Sequence, residues 1–305
     1  MTLASAAALP APDYRRGLIC VIAAGTLWST VGLGIRLIEN AEVWQILLYR
    51  SCSLTPFLFI VLWFRSGGQP LKQVRRAGLP AVIGGLALVA AYSAGIVALQ
   101  TTSVANAMLL FASAPFFTAG LGWLVLGEAV RRATAVAILI ALLGIGIMVS
   151  EDFSSGALLG NLAALGSALG FAVFTVALRW GKTEEMMPAV FLSGIFAIVI
   201  MGAICALREL PLLLSTNDAS IALAMGVVQV GAGLVLYTIG SKTVPSAELA
   251  LLSMAEVVLG PLWVWIFLGE TAGLYTLLGG GVLLAAIAGN ALSGLRRKPP
   301  ALTAP

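Results

Sequence analysis

The sequence predicts an all-α membrane protein of ten transmembrane helices, arranged as two inverted five-helix repeats. Three observations carry that expectation. The 305-residue chain is 60% hydrophobic and only 10% charged, against about 25% charged in a soluble globular chain, and its mean hydropathy is +1.04. Ten apolar segments reach the roughly 20 residues that cross a bilayer as a helix. Two segments, 104–128 and 246–270, align with each other without a gap.

The spans fall at 17–36, 43–64, 78–99, 103–126, 133–150, 157–179, 188–207, 219–240, 246–268 and 273–294, with short connections. Their orientation follows from Lys and Arg, which collect in cytoplasmic loops. With a cytoplasmic N-terminus, fourteen of the 17 basic residues lie inside, only Arg36 and Arg208 outside, and Arg50 within a span. Both termini are therefore expected in the cytoplasm. The chain divides into a cytoplasmic tail over 1–16, a first repeat over 17–150, a second over 151–295 and a cytoplasmic tail over 296–305. Residues 1–14 lack the basic start of a signal peptide, and Arg15 and Arg16 read as the anchor of the first span.

Composition removes several function classes. Histidine is absent, which excludes His-based metal ligation, Ser-His-Asp chemistry and His proton relays. Cys20, Cys52 and Cys205 are scattered through apolar runs, so they form neither a disulfide framework nor a metal site. "WGKT" at 180–183 ends like a phosphate-binding loop, but that pattern needs glycine where Val176 stands. No basic run suggests nucleic acid. The expectation is a protein that is not an enzyme and has no cofactor or metal. Its partners are the bilayer and a small molecule, and it is a monomer or a homodimer.

The internal repeat is the strongest motif. At an offset of 142, "VANAMLLFASAPFFTAGLGWLVLGE" meets "SAELALLSMAEVVLGPLWVWIFLGE". Trp123 meets Trp265, and Leu126-Gly127-Glu128 meets Leu268-Gly269-Glu270. Five spans per repeat is an odd number, so the halves must be inverted. Secondary transporters commonly use this plan, with the substrate near the midplane between halves.

With "GTLWSTVGLGIRLI" at 25–38, ten spans and the paired "WLVLGE" and "WIFLGE" endings, the chain resembles the drug/metabolite transporter superfamily and its EamA-type exporters. Within them it is most similar to the YddG-type exporters of aromatic amino acids. The resemblance implies a multi-pass protein of the bacterial inner (plasma) membrane that exports small metabolites, amino acids with aromatic ones favoured, by alternating access. It also implies a cavity lined mainly by spans other than five and ten. Multidrug or nucleotide-sugar export on the same fold, and a passive channel, are the competing readings.

Charge inside the spans is sparse. A charged side chain near a helix centre costs about 2.5–3.5 kcal/mol on insertion scales. At about 1.5 Å per residue, Glu256 lies about 15 Å into span nine and Arg50 about 10 Å into span two. Three readings stand side by side: an Arg50–Glu256 ion pair that locks helices, an Arg50 that snorkels outward, or one or both facing substrate. A zwitterionic amino acid needs a cation for its carboxylate and an anion or aromatic face for its ammonium. Gln229, Gly233 and Tyr237 share one face of span eight, Ser253, Glu256, Gly260 and Trp263 one of span nine, and Asn106, Ser113 and Phe117 one of span four. Trp28, Tyr49 and Tyr92 add aromatic surface, with plain helix packing as the competing role. The candidate substrate-binding set is therefore Trp28, Tyr49, Arg50, Tyr92, Asn106, Ser113, Gln229, Tyr237, Ser253 and Glu256. Pro56, Pro115 and Pro261 are expected to kink spans two, four and nine, and Gly279-Gly280-Gly281 to form a helix or dimer contact.

Overall fold

The structure is a computed structural model that describes residues 12–152, 158–181, 186–244 and 246–295, with side chains for all of these except 12–13, 151–152, 246–255 and 294–295. Regular structure among the described residues is entirely helical. Within a bilayer a helix satisfies its own backbone polar groups, so long apolar segments have this one open-chain solution. Nine helices among the described residues are long and apolar enough to cross: Tyr14–Arg36, Val43–Arg65, Pro70–Thr101, Val104–Leu126, Arg132–Ser150, Leu158–Trp180, Met187–Leu207, Thr216–Gly240 and Leu274–Ser293. A further helix, Ser246–Leu268, is 23 residues long. In chain order these occupy the places of the ten predicted spans.

Four of the helices depart from plain rods. Span three begins earlier than its apolar run: its helix starts at Pro70, and Gly78 breaks it with φ 59° and ψ −155°. Only glycine adopts that conformation without strain, so 70–77 is a separate piece bearing the exposed Lys72, Arg75 and Arg76. Span four consists of Val104–Phe111 and Ala114–Leu126. Pro115 therefore opens a second helical segment, where its missing N–H costs nothing, instead of kinking a continuous one. Span eight carries a π-helical stretch, Met225–Ala232, between Thr216–Ala224 and Gly233–Gly240. Span one turns at Thr30 between Pro12–Ser29 and Val31–Arg36.

The two halves interlock. Span one packs on eight and nine, and its counterpart, six, packs on three and four. Span two packs on eight, and its counterpart, seven, on three. Two with seven, four with nine, and five with ten complete the scheme. Exchanging the repeats leaves this pattern unchanged, as a two-fold relation requires. Details repeat as well. Gly127 and Gly269 both close their helices at φ 68°, and the Glu128 and Glu270 amides reach back to the carbonyls of Gly122 and Val264 at 3.2 and 3.3 Å. A Cβ on Gly85 would stand 3.2 Å from both Ala189 O and Ser193 N, and one on Gly226 would strike Arg50 O and lie 3.1 Å from Leu54 N. Arg50 in one half thus takes the place of Ala189 in the other.

The membrane-facing ends of the helices define two faces. One carries Glu39, Glu42, Asp218 and Glu270 and is called the acidic face; the other carries Arg65, Lys72, Arg76 and Arg179 and is called the basic face. Spans five and ten pack against each other through glycine, where a Cβ on Gly144 would come 2.6 Å from Gly279 O. Gly280 meets Leu109, while the Cβ position of Gly281 is open. Two of the three consecutive glycines therefore serve contacts inside the chain.

Candidate functional site

Arg50 lies two turns into span two. Its helix starts at a local cap, the Glu42 N–H donating to Gln45 Oε1 at 2.8 Å, and Gln45 Nε2 donates to Pro211 O at 2.6 Å. Arg50 is 3% exposed. Its guanidinium carbon stands 4.4 Å from the centre of the Tyr92 ring, and its Nε has no hydrogen-bond partner. Among the described residues no carboxylate pairs with it. A cation–π contact contributes roughly 0.5–2 kcal/mol, whereas burying an ion costs several kcal/mol. The aromatic face alone leaves the guanidinium undersatisfied.

The π-helical stretch of span eight lies against this arginine, because Gly226 allows its backbone to meet the Arg50 carbonyl. One turn on, Gln229 Nε2 donates to Trp28 O at 3.4 Å, and Gln229 Oε1 is buried with no partner. Trp28 sits over Gly233, whose added Cβ would lie 2.8 Å from the indole Cδ1. The Trp28 ring is 5.3 Å from that of Tyr237. Five of the expected residues therefore fall into two neighbouring groups, Arg50 with Tyr92 and Gln229 with Trp28 and Tyr237, which meet where Gly226 of span eight packs on the Arg50 backbone.

The other five stand elsewhere. The Tyr49 hydroxyl donates to Leu212 O at 2.6 Å and ties the acidic face. Asn106 donates through Nδ2 to Asn161 Oδ1 and, at 3.3 Å, to Thr102 Oγ1, joining spans four and six. Ser113 donates to Leu110 O at 2.6 Å in the break of span four. The Ser253 side chain lies outside the described residues. Glu256 is half-buried, and the structure pairs Arg50 with Tyr92 and not with this carboxylate. It shares a helix face with Gly260 and Trp263. Trp263 Nε1 donates to Ser29 Oγ at 2.8 Å, and a Cβ on Gly260 would lie 3.5 Å from Ser29 O. Ser29 is a fully buried hydroxyl whose only mark in the sequence is its place beside Trp28.

Ion pairs stand at both ends of the bundle, and on the acidic face Arg208 and Glu42 make a further, more exposed one at 3.4 Å. Arg36 Nε and Glu270 Oε2 are 2.8 Å apart, with a second bond at 3.2 Å. Arg36 also donates to Thr102 O at 2.9 Å, and Glu270 accepts the Val104 N–H at 2.7 Å. Burial alone would raise the Glu270 carboxyl, but the Arg36 hydrogen bonds, the Val104 N–H and the Arg36 charge together hold it below its ordinary value. On the basic face, Arg179 and Glu128 meet at 2.6 Å. Among the described residues no group of three His, Cys, Asp or Glu is placed to hold a metal ion.

A helical membrane protein of two interlocked halves, with a buried cation that no carboxylate pairs among the described residues, has the architecture of a multi-pass transporter. The chain belongs to the EamA-like transporter family, whose pattern matches residues 15–150 and again 158–292. It is 24% identical over 278 residues to an uncharacterized transporter of Archaeoglobus fulgidus, covering 90% of this chain and 95% of that one. It is 28% identical over 207 residues to mouse solute carrier family 35 member G1, covering 63% of this chain and 54% of the mouse protein. A solved crystal structure superposes with a TM-score of 0.66 over 92% of this chain and 99% of that one, at 20% identity, a likeness of fold.

Proposed function

We propose that the protein is a secondary exporter of small carboxylate-bearing metabolites, with aromatic amino acids, the cargo of YddG-type exporters, as the favoured substrates. It works in the bacterial inner membrane with both termini in the cytoplasm, so the basic face is cytoplasmic and the acidic face external. The observation that supports this reading is Arg50: a buried guanidinium with an aromatic on one side and no carboxylate partner among the described residues. A substrate carboxylate would complete it through charge-assisted hydrogen bonds. Tyr92, Trp28 and Tyr237 offer ring faces to an aromatic side chain, and Gln229 Oε1 is a free acceptor for an ammonium. Glu256, half-buried in span nine, is the candidate site for a coupled proton. The two repeats open the substrate alternately to each side.

A guanidinium takes phosphate as readily as carboxylate, so export of nucleotide-linked sugars is the second reading. Proteoliposomes loaded with a panel of amino acids, nucleotide sugars and cationic drugs separate the two. Arg50→Ala should weaken binding of the true substrate by roughly thirtyfold or more, since truncating one partner of a buried charge pair costs about 2–5 kcal/mol. Unchanged binding would sink the carboxylate reading. A preference for cationic drugs in the panel would do the same.

A further inference from the structure

The ion pairs at the two ends of the bundle are cross-wired. Arg36 ends span one, and Arg179 ends span six, its counterpart in the other repeat. Glu270 follows span nine and Glu128 follows span four, again counterparts. Each pair therefore joins the first span of one repeat to the fourth of the other. Exchanging the repeats converts one pair into the other and carries it to the opposite face. Each carboxylate is aimed by the same device, a left-handed glycine just before it.

Both pairs are formed, Arg179 and Glu128 at 2.6 Å, but they are not equally held. Arg36 and Glu270 are 27% and 22% exposed, bonded twice to each other and further tied to the main chain at Thr102 and Val104. Arg179 and Glu128 are 48% and 39% exposed. We propose that the two pairs are the latches of the transport cycle. Opening one shifts the molecule toward the state in which the other stays shut, and this structure, with both pairs closed, is the occluded conformer. The inference rests on the alternating-access reading above, because a static scaffold gives no reason for one end to respond to the other.

That reciprocity is the test. A variant that loses contacts made in only one of two states moves the population toward the other, and linkage makes the effect mutual. Hydrogen exchange by mass spectrometry on the full chain in lipid nanodiscs reads both faces at once, with segments 36–41 and 100–104 on the acidic face and 120–128 and 177–181 on the basic face. Arg36→Gln breaks the acidic pair but leaves Glu270 on the Val104 N–H. It should speed exchange about threefold or more on the acidic face and slow it on the basic face. Arg179→Gln should do the reverse. Faster exchange confined to the mutated end, or at both ends together, overturns the proposal and leaves the pairs as scaffold. Should a single variant fail to accumulate, the double change Arg179→Glu with Glu128→Arg restores the pair with its polarity reversed. Wild-type exchange at both faces is then expected, and faster exchange at the basic face with no slowing elsewhere overturns it. The readout needs no substrate. Loss of reciprocity with Arg50-dependent binding intact would remove the latches and keep the carboxylate reading, whereas intact reciprocity without that binding would do the opposite.

Discussion

Glu270 shows what a single carboxylate does at a membrane edge. Its ordinary value is 4.5 and its surroundings hold it lower, so the sign is fixed. A depressed carboxyl contributes stability that is full above the unfolded value and fades as pH falls through the folded one. The difference in melting temperature between wild type and Glu270→Gln should therefore hold constant from about pH 8 to about pH 5 and close in stronger acid. A difference that varies within the neutral range would contradict that assignment. Asn106 makes a separate residue-scale prediction. Its Nδ2 bonds Asn161 across spans four and six, so Asn106→Leu would leave a buried Asn161 oxygen short of a donor. The expected loss is about 1–3 kcal/mol, read as a lower melting temperature in detergent. At this scale the sequence exposed the rare charges but not their neighbours. Glu256 stands where the twin segment has Ala114, and that asymmetry needed only an alignment. Tyr92 under Arg50 is 42 positions away in the chain, and only tertiary packing brings them together.

At the scale of the helix, position in the bilayer was legible and internal irregularity was not. Runs of apolar residues define spans because lipid accepts little else, and the Gly-Glu endings marked where two of them stop. The π-helical turn of span eight has no comparable mark: "MGVVQVGA" would serve as ordinary helix, and its widening shows only where Gly226 lets span two press close. Residues 70–77 are polar and lie outside the apolar run, and Gly78 breaks the helix between this piece and span three. Glycine also sets the fit of five against ten. A leucine at Gly279 would drive its Cβ into the Met148 amide, already 2.9 Å from the Cβ position. Gly279→Leu should separate these spans and lower stability by about 1–3 kcal/mol, measurable as a melting shift. Gly281→Leu, with open space at its Cβ, should not. Equal losses would refute the packing argument.

For the molecule as a whole, the inverted repeat was readable from one aligned segment, while the interlock was not. Sequence similarity says that two halves share a shape; it does not say that span one will lie against eight and six against three. That arrangement makes carrier behaviour testable without further variants. Substrate on the far side of the membrane should accelerate flux through an alternating carrier and leave a pore unaffected, so counterflow in liposomes decides between them. Absence of trans-stimulation would favour the channel.

The interlock also bears on biogenesis. The ribosome delivers residues 17–150 before their partners exist, so Arg50 and Asn106 enter the membrane ahead of the spans that bury them. An arginine held in lipid costs about 2.5–3.5 kcal/mol by insertion scales, and span eight closes against the Arg50 backbone only when 219–240 arrive. The first half is thus a waiting template and the second its obligatory cast. Two separately expressed halves should find each other in the bilayer.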